Sequence, residues 1–271
     1  MIQEITQAID AYFAQPLAQT DIYYADARRT VSANGRLVYT SAEQMQPVGK
    51  DWELILFDRI GDDLCYAHVG YPNENEYCHE VLAFLKIKSE WKLTAILQAE
   101  TDTKYRNVCP ESADEVEIFR EIERRLLIYS DAVYDLDADA ALTAFTPDCH
   151  MIHPVDSEHF ADVNCDVFRE RWSGVPHPKT LGLPKYSRIY HVELIDEYTA
   201  VAKIGMAKLN DYFNDYLFCV KENGSWMITQ KLTESVWKNP ETIKVLLDSG
   251  AAGSRIGDFR LCCIVGFFRS A

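Results

Sequence analysis

The sequence predicts an α+β protein made of two copies of one unit, followed by a short C-terminal extension. Three observations lead there. Shifting the chain by 135 positions lays residues 60–97 on 195–232 without a gap; residues 116–134 carry an apolar stripe at helical spacing; and the second copy closes in β-rich runs separated by turns.

The repeat rests on ten identities in 38 positions: Ile60, Ala67, Gly70, Asn75, Tyr77, Leu82, Lys86, Trp91, Thr94 and Leu97 meet Ile195, Ala202, Gly205, Asn210, Tyr212, Leu217, Lys221, Trp226, Thr229 and Leu232. The copies run over about 1–112 and 113–238, each the size of a small domain, joined near "TDTKYRNVCPESADE". Residues 239–271 fall outside the repeat.

Within the second copy, Phe119, Ile122, Leu126, Tyr129 and Val133 recur at intervals of 3, 4, 3 and 4, one face of a helix. "DLDADAALTAF" (135–145) reads as a short second helix with acidic capping residues, stopped by Pro147. A strand over 149–153 and a third helix over 163–172, carrying Val163, Val167, Phe168 and Trp172, come next. Strands over 186–194, 198–208, 211–221 and 226–234 complete the copy, the last two joined across "KENGS". The first copy opens on "MIQEITQAIDAYF", also an amphipathic helix pattern.

Composition narrows the function classes. A formal net charge of −15 without a local basic cluster opposes nucleic acid and anionic membrane as partners. The eight cysteines form no C-x-x-C pair, and several lie in apolar runs as buried thiols do. The first residues lack the basic-then-apolar pattern of a secretion signal, and no apolar run approaches the ~20 residues of a membrane span. The expectation is a reduced, cytoplasmic protein.

The order of elements, with "FTPDCHMIHP", "TAVAKIG", "NDYFNDYLFCVKENGSWMITQKL" and the tryptophan-bearing last strand, resembles the nuclear transport factor 2-like (NTF2-like) superfamily, nearest its SnoaL-like and lumazine-binding groups. The resemblance covers about 114–234 well and 20–100 loosely. It implies two fused cone-shaped barrels, each a curved antiparallel sheet over three helices around a pocket, arranged as a pseudo-dimer. Superfamily members include ketosteroid isomerase, scytalone dehydratase and polyketide cyclases beside non-catalytic binding proteins, so the fold alone does not choose a function.

Ketosteroid isomerase resembles the region around Pro154. Its base stands directly before a proline, where this chain has His153; the resemblance also implies an oxyanion-binding tyrosine at Tyr129 and an oxyanion-binding acid at Asp215. Histidine in place of aspartate is a departure that leaves the substrate open. The residues single themselves out independently. Tyr129 lies on the apolar helix stripe, Asp215 alternates with Phe213, Leu217 and Cys219, and His153 shares a strand face with Cys149 and Met151. Burial of Asp215 would favour its neutral, hydrogen-bond-donating form, and histidine is a serviceable base near neutrality. The same logic of a base facing a tyrosine and a neutral aspartic acid is the general worked case for ketosteroid isomerase.

The expectation is a cofactor-independent and metal-free acid–base enzyme of isomerase, dehydratase or cyclase type. It would act on a small, largely apolar carbonyl compound, with His153, Tyr129 and Asp215 catalytic and Met151, Cys149, Phe213, Leu217, Trp172 and Leu126 lining the pocket. Two alternatives stand beside it. A binding protein would have Tyr129 or Asp215 satisfied by protein neighbours and no free base. An interaction scaffold would have a filled cavity. His150 and His153 point to opposite strand faces, which argues against a shared zinc ion, so His150 reads as surface or structural. His159 and His177 lie in loop-like sequence and could rim the pocket.

Laying the first copy on the second puts Val31 opposite His153, Gln7 opposite Tyr129 and Glu80 opposite Asp215, which makes the first copy a scaffold and pseudo-dimer partner. The rival is a second pocket using Tyr77, His79 and Glu80. In the extension, "NPETIKVLLDSG" reads as a capped helix, and the apolar "LCCIVGFF" (261–268) as an added strand or lid. The chain is expected as a monomeric pseudo-dimer or a homodimer.

Overall fold

The computed structural model describes residues 2–14, 22–33, 36–41, 51–73, 76–101, 112–154, 160–183, 185–208 and 211–237. The predicted C-terminal helix, the 261–268 segment and His159 lie outside the described residues. The first unit contains helix α1 (Ile2–Ala14) and strands β1 (Tyr23–Ala33), β2 (Arg36–Ser41), β3 (Glu53–Ile60), β4 (Leu64–Asn73), β5 (Glu76–Ile87) and β6 (Glu90–Thr101). The second contains α2 (Ala113–Asp135), α3 (Ala138–Leu142), β7 (Phe145–Pro154), β8 (Phe160–Val163), α4 (Cys165–Trp172), β9 (Ser187–Leu194), β10 (Thr199–Lys208), β11 (Asp211–Glu222) and β12 (Ser225–Trp237).

Each unit forms one six-stranded sheet, and the two strand orders are the same: β2-β1-β6-β5-β4-β3 and β8-β7-β12-β11-β10-β9. Even the registers repeat. Gly70 faces His79 and Ala67 faces Leu82 in β4–β5; Gly205 faces Asn214 and Ala202 faces Leu217 in β10–β11. Gly70 and Gly205 are glycine for the same reason. A Cβ there would meet the ring of Tyr77 at 2.4 Å or the hydroxyl of Tyr212 at 2.0 Å, so the repeated glycine and tyrosine are one packing unit. The last hairpin also repeats. Lys88 and Ser89, and then Asn223 and Gly224, all have positive φ, as a two-residue turn matched to the strand twist requires. Asn-Gly adopts that geometry readily; Lys-Ser does so against its preference.

The helices follow their predicted faces. Ser112 caps α2 by accepting from the Glu115 N–H, and the helix buries Phe119, Ile122, Leu126, Tyr129 and Val133, the apolar stripe read from sequence. Two local expectations are corrected. Strand β7 begins at Phe145, so Pro147 lies within it rather than ending a helix; it falls where the β7–β12 register shifts, and its missing N–H is tolerated there. Residues 160–163 are strand β8, and the third helix starts only at Cys165, capped by Asn164. Among the described residues the first unit has one helix over its sheet, not three.

Strand alternation gives each sheet two apolar faces. One face of the second sheet packs under α2–α4 with Met151, Ile204, Leu217 and Ile228; one face of the first packs under α1 with Ala67, Val69, Leu82 and Ile96. The remaining faces meet each other through Tyr66, Val81, Leu85 and Leu97 on one side and Ile152, Val201, Tyr216, Phe218 and Leu232 on the other. Tyr66 meets Tyr216 edge to face at 4.8 Å. Polar bonds lock this layer: Lys203 Nζ donates to Asp58 Oδ2 at 2.7 Å, Arg28 donates to the Asp148 carbonyl at 2.7 Å, and His68 Nδ1 lies 2.7 Å from Glu193 Oε1. Burial alone would raise the Glu193 carboxyl; His68, together with His191 and the Tyr66 hydroxyl, more than offsets this and holds it below its ordinary range.

These features establish an α+β fold with two six-stranded sheets of the same strand order, each mixed rather than wholly antiparallel because β1 pairs β6, and β7 pairs β12, in parallel. No described helix is long and apolar enough to cross a membrane. Phe218 is 1% exposed in the inter-sheet layer, so Phe218→Ala should cost about 3–5 kcal/mol in urea unfolding, a value that an independently exposed side chain would not approach.

Candidate functional site

Strand pairing builds the site from neighbouring positions on one face of the second sheet. Asp215 on β11 faces Thr233 on β12, Leu217 faces Lys231, and Lys231 in turn faces Met151 on β7. Above this face lie Tyr129 of α2 and Phe168, Arg171 and Trp172 of α4. Between them is a cavity of about 220 Å³, lined by Tyr129, Met151, His153, Val163, Phe168, Arg171, Trp172, Lys208, Phe213, Lys231 and Thr233. That is below the ~300–1,000 Å³ of sites for drug-sized ligands, so an occupant must be small.

Behind the cavity wall, Asp215 is fully buried and both its oxygens are engaged. The Tyr129 hydroxyl donates to Oδ2 at 2.8 Å, the Thr233 hydroxyl donates to Oδ1, and the Lys231 ammonium stands 3.7 Å from Oδ1 while donating to Thr233. Two hydroxyl donors and an ammonium thus converge on this buried carboxyl group. In this arrangement both Asp215 oxygens accept from protein hydroxyls. Tyr129, 1% exposed and packed edge to face on Phe145 at 5.1 Å, spends its proton on Asp215. Burial, then the Asp215 charge, pushes the phenol well above its ordinary range.

His153 stands on the cavity wall, and its Nε2 accepts from Arg171 Nη1 at 3.2 Å. Burial first, then the charges of Lys231 and Arg171, pull its pKa down to about 4. The imidazole is neutral at pH 7 and a weaker base than an ordinary histidine.

Of the residues expected at the site, Tyr129, His153, Met151, Phe213 and Trp172 line the cavity, whereas Cys149, Leu126 and Leu217 sit in the surrounding core. His150 pairs with Asp162 at 3.0 Å, and the exposed His177 binds the Asp135 carbonyl; neither lines the cavity. Val163, Phe168, Arg171, Lys208, Lys231 and Thr233 were not anticipated. One signal for them was present: at the 135-residue shift Lys231 stands opposite Ile96, a lysine on a strand face that is apolar in the other copy.

The first unit holds a related arrangement. Tyr12 donates to Glu80 Oε2 at 2.9 Å, and Arg29 lies 3.2 Å from Glu80 Oε1 and also donates to the Tyr12 hydroxyl. Tyr12, not the exposed Gln7, thus has the place of Tyr129. The rival pocket from Tyr77, His79 and Glu80 is overturned by strand alternation. Glu80 faces α1, while His79 faces the other sheet, where its Nδ1 meets His68 Nε2 at 2.9 Å, and Tyr77 donates to Glu53 at 2.6 Å. No group of three or more metal-ligating side chains occurs among the described residues.

Comparison with known proteins finds a family model that resembles the second unit. Residues 117–233 match the family model described as "Putative lumazine-binding". Solved structures similar to the chain include an NTF2-like protein from Silicibacter pomeroyi (16% identity, 45% of this chain and 98% of that one, TM-score 0.41) and an NTF2-like protein from Shewanella baltica (18%, 44% and 94%, 0.40). A ketosteroid isomerase-like protein from Erwinia carotovora is similar at 16% identity, over 46% of this chain and 99% of that one, with a TM-score of 0.37. No curated protein matches.

Two measurements test this geometry. Tyr129→Phe should destabilise by about 1.5–3 kcal/mol through loss of a charged hydrogen bond, and Asp215→Ala by about 3–5 kcal/mol because Lys231 is left unpaired; chemical denaturation reads both. By NMR, His153 should stay neutral through neutral pH and titrate near about 4. Its folded pKa lies below the unfolded value of ~6.5, so its contribution to stability is present above ~6.5 and fades as pH falls toward 4. His153→Gln should flatten that part of the stability profile.

Proposed function

We propose that residues 113–238 form a small-molecule-binding unit whose ligand occupies the cavity beside His153, with residues 1–112 as a scaffold copy and 239–271 as an appended segment. One observation carries this reading: the cavity is not filled by side chains, while the pair of Tyr129 on its wall and Asp215 behind it is already satisfied by protein groups. An interaction scaffold has no need of such a hollow. Ligand contacts fall to Met151, Phe213, Trp172 and Phe168 as apolar walls and to His153, Arg171, Lys208 and Lys231 as polar ones. The lumazine named by the matching family is a flat heterocycle with carbonyl oxygens, and the aromatic and cationic lining of the cavity supports a ligand of that kind.

An acid–base enzyme is the second reading, favoured by one observation. The neutral imidazole of His153 lies on the cavity wall near two cations, Arg171 and Lys231, that would stabilise an enolate oxygen in place of Tyr129 and Asp215. Isomerisation, dehydration or cyclisation of a small carbonyl compound would then follow. The low basicity of His153 ranks it below binding alone.

Native mass spectrometry of the freshly purified protein, followed by thermal-shift titration with lumazine and with any co-purified compound, tests the binding reading. A ligand at a hundredfold excess over its Kd should add about 2.7 kcal/mol of stability, and Phe213→Ala should weaken it. The absence of any ligand-induced shift would overturn the reading. Conversion of a bound compound, lost by orders of magnitude in His153→Ala with binding retained, would move the assignment to the enzyme.

A further inference from the structure

Two histidines and a glutamate meet inside the layer between the two sheets. Strand alternation puts His68 of β4 and His79 of β5 on the face of the first sheet that carries Tyr66, Val81 and Leu85. It puts Glu193 of β9 on the face of the second sheet that carries Ile195, while Val192 and Leu194 face the helices. All three side chains are buried, at 5%, 3% and 4% exposure. They form a chain: Glu193 Oε1 lies 2.7 Å from His68 Nδ1, and His68 Nε2 lies 2.9 Å from His79 Nδ1. The Tyr66 hydroxyl donates to the other Glu193 oxygen at 3.3 Å. Among the described residues β9 is the outermost strand of its sheet, so this chain ties that edge to the first unit.

The contacts limit how many protons the chain can hold. The Glu193 carboxyl is kept below its ordinary range and is ionised at neutral pH. An ionised carboxylate only accepts hydrogen bonds, so His68 Nδ1 carries a proton. A hydrogen bond between two ring nitrogens needs one N–H and one lone pair, so the His68–His79 contact holds one proton and not two. The four ring nitrogens therefore bind at most three protons while the chain is intact. That makes one cationic imidazole, which the single carboxylate balances. A fourth proton sets N–H against N–H and places a second positive charge beside the first, inside a buried layer where charges are weakly screened.

We propose that the His68–His79 pair is an acid-sensitive fastening between the units: uptake of one further proton breaks the contact and frees the edge strand β9 from the first sheet. An imidazole in an unfolded chain takes its second proton near pH ~6.5, so the unfolded chain accepts the proton that the native pair refuses. By linkage, the pair's contribution to stability is complete above about pH 6.5 and is lost as the pH falls below it. Among the described residues, the other titratable groups facing this cluster are His191 on β9, Tyr66 on β4, and Tyr77 on β5, whose hydroxyl is bonded to Glu53 on β3. Lys203 of β10, the register partner of His191, is paired with Asp58.

The test compares the full chain with its His79→Gln variant. Glutamine keeps a partner for His68 Nε2 but does not titrate, so His68 can take both its protons without a clash. His153 and His191 are present in both chains and cancel. In urea unfolding, the unfolding constant of the unsubstituted chain should rise relative to that of the variant, by up to about tenfold per pH unit below about pH 6. Parallel profiles from about pH 8 to pH 5 would overturn the proposal, since a merely structural histidine shifts stability equally at every pH. A second measurement needs no variant. As the unsubstituted chain is acidified, imidazole nitrogen NMR should show both rings fully protonated only where amide exchange, corrected for pH, has lost protection in β9 ahead of β11. Both rings fully protonated with β9 protection intact would sink the proposal as well.

Discussion

The structure depends on the apolar layer between the two sheets. A six-stranded sheet with one face under helices still has another face to cover, and here the uncovered faces of two sheets cover one another. Every central strand consequently serves two cores at once. In β11, Tyr216, Phe218 and Val220 point to the shared layer, while Phe213, Leu217 and Cys219 point to the helices. This constraint confines a ligand site to the helix side of either sheet, because the opposite side is occupied by the other unit.

Within that frame one difference between the units is an exchange across a single pair of strand positions. In the first unit Arg29 on β1 faces Ile96 on β6; in the second, Met151 on β7 faces Lys231 on β12. In the second unit the cation stands on the more central strand and the apolar residue on the outer one, the reverse of the first. Both units keep a buried carboxylate hydrogen-bonded to a helix tyrosine, Glu80 with Tyr12 and Asp215 with Tyr129. A buried carboxylate needs such company, since desolvation would otherwise favour its loss of charge. The pair reads as part of the scaffold in both halves, and what distinguishes the second half is the set of groups in front of it.

Much of the fold was legible because it rests on short-range pattern. The 3-4-3-4 stripe of α2, the alternation of β11 and the Asn-Gly turn each depend on residues close in sequence. The site was less legible because it depends on cross-strand register and on helix placement. Alternation located Asp215 on the helix-side face, yet only the pairing of β11 with β12 brings Thr233 and Lys231 beside it. Arg171 and Phe168 reach the cavity from α4, whose start was displaced by the unrecognised strand β8. Tyr12 was missed as the counterpart of Tyr129 because the segment between helix and first strand differs in length between copies.

Covalent linkage of the two units changes what dilution can do. The face-to-face layer of Tyr66, Val81, Phe218 and Leu232 has the composition of an interface between subunits, but its halves belong to one polypeptide. Their encounter is governed by the length of the connecting segment, not by how many molecules share the solution. A partner surface that is always present also releases the first half from symmetry: it can lose or rebuild its own hollow without weakening the association that holds the second half in shape.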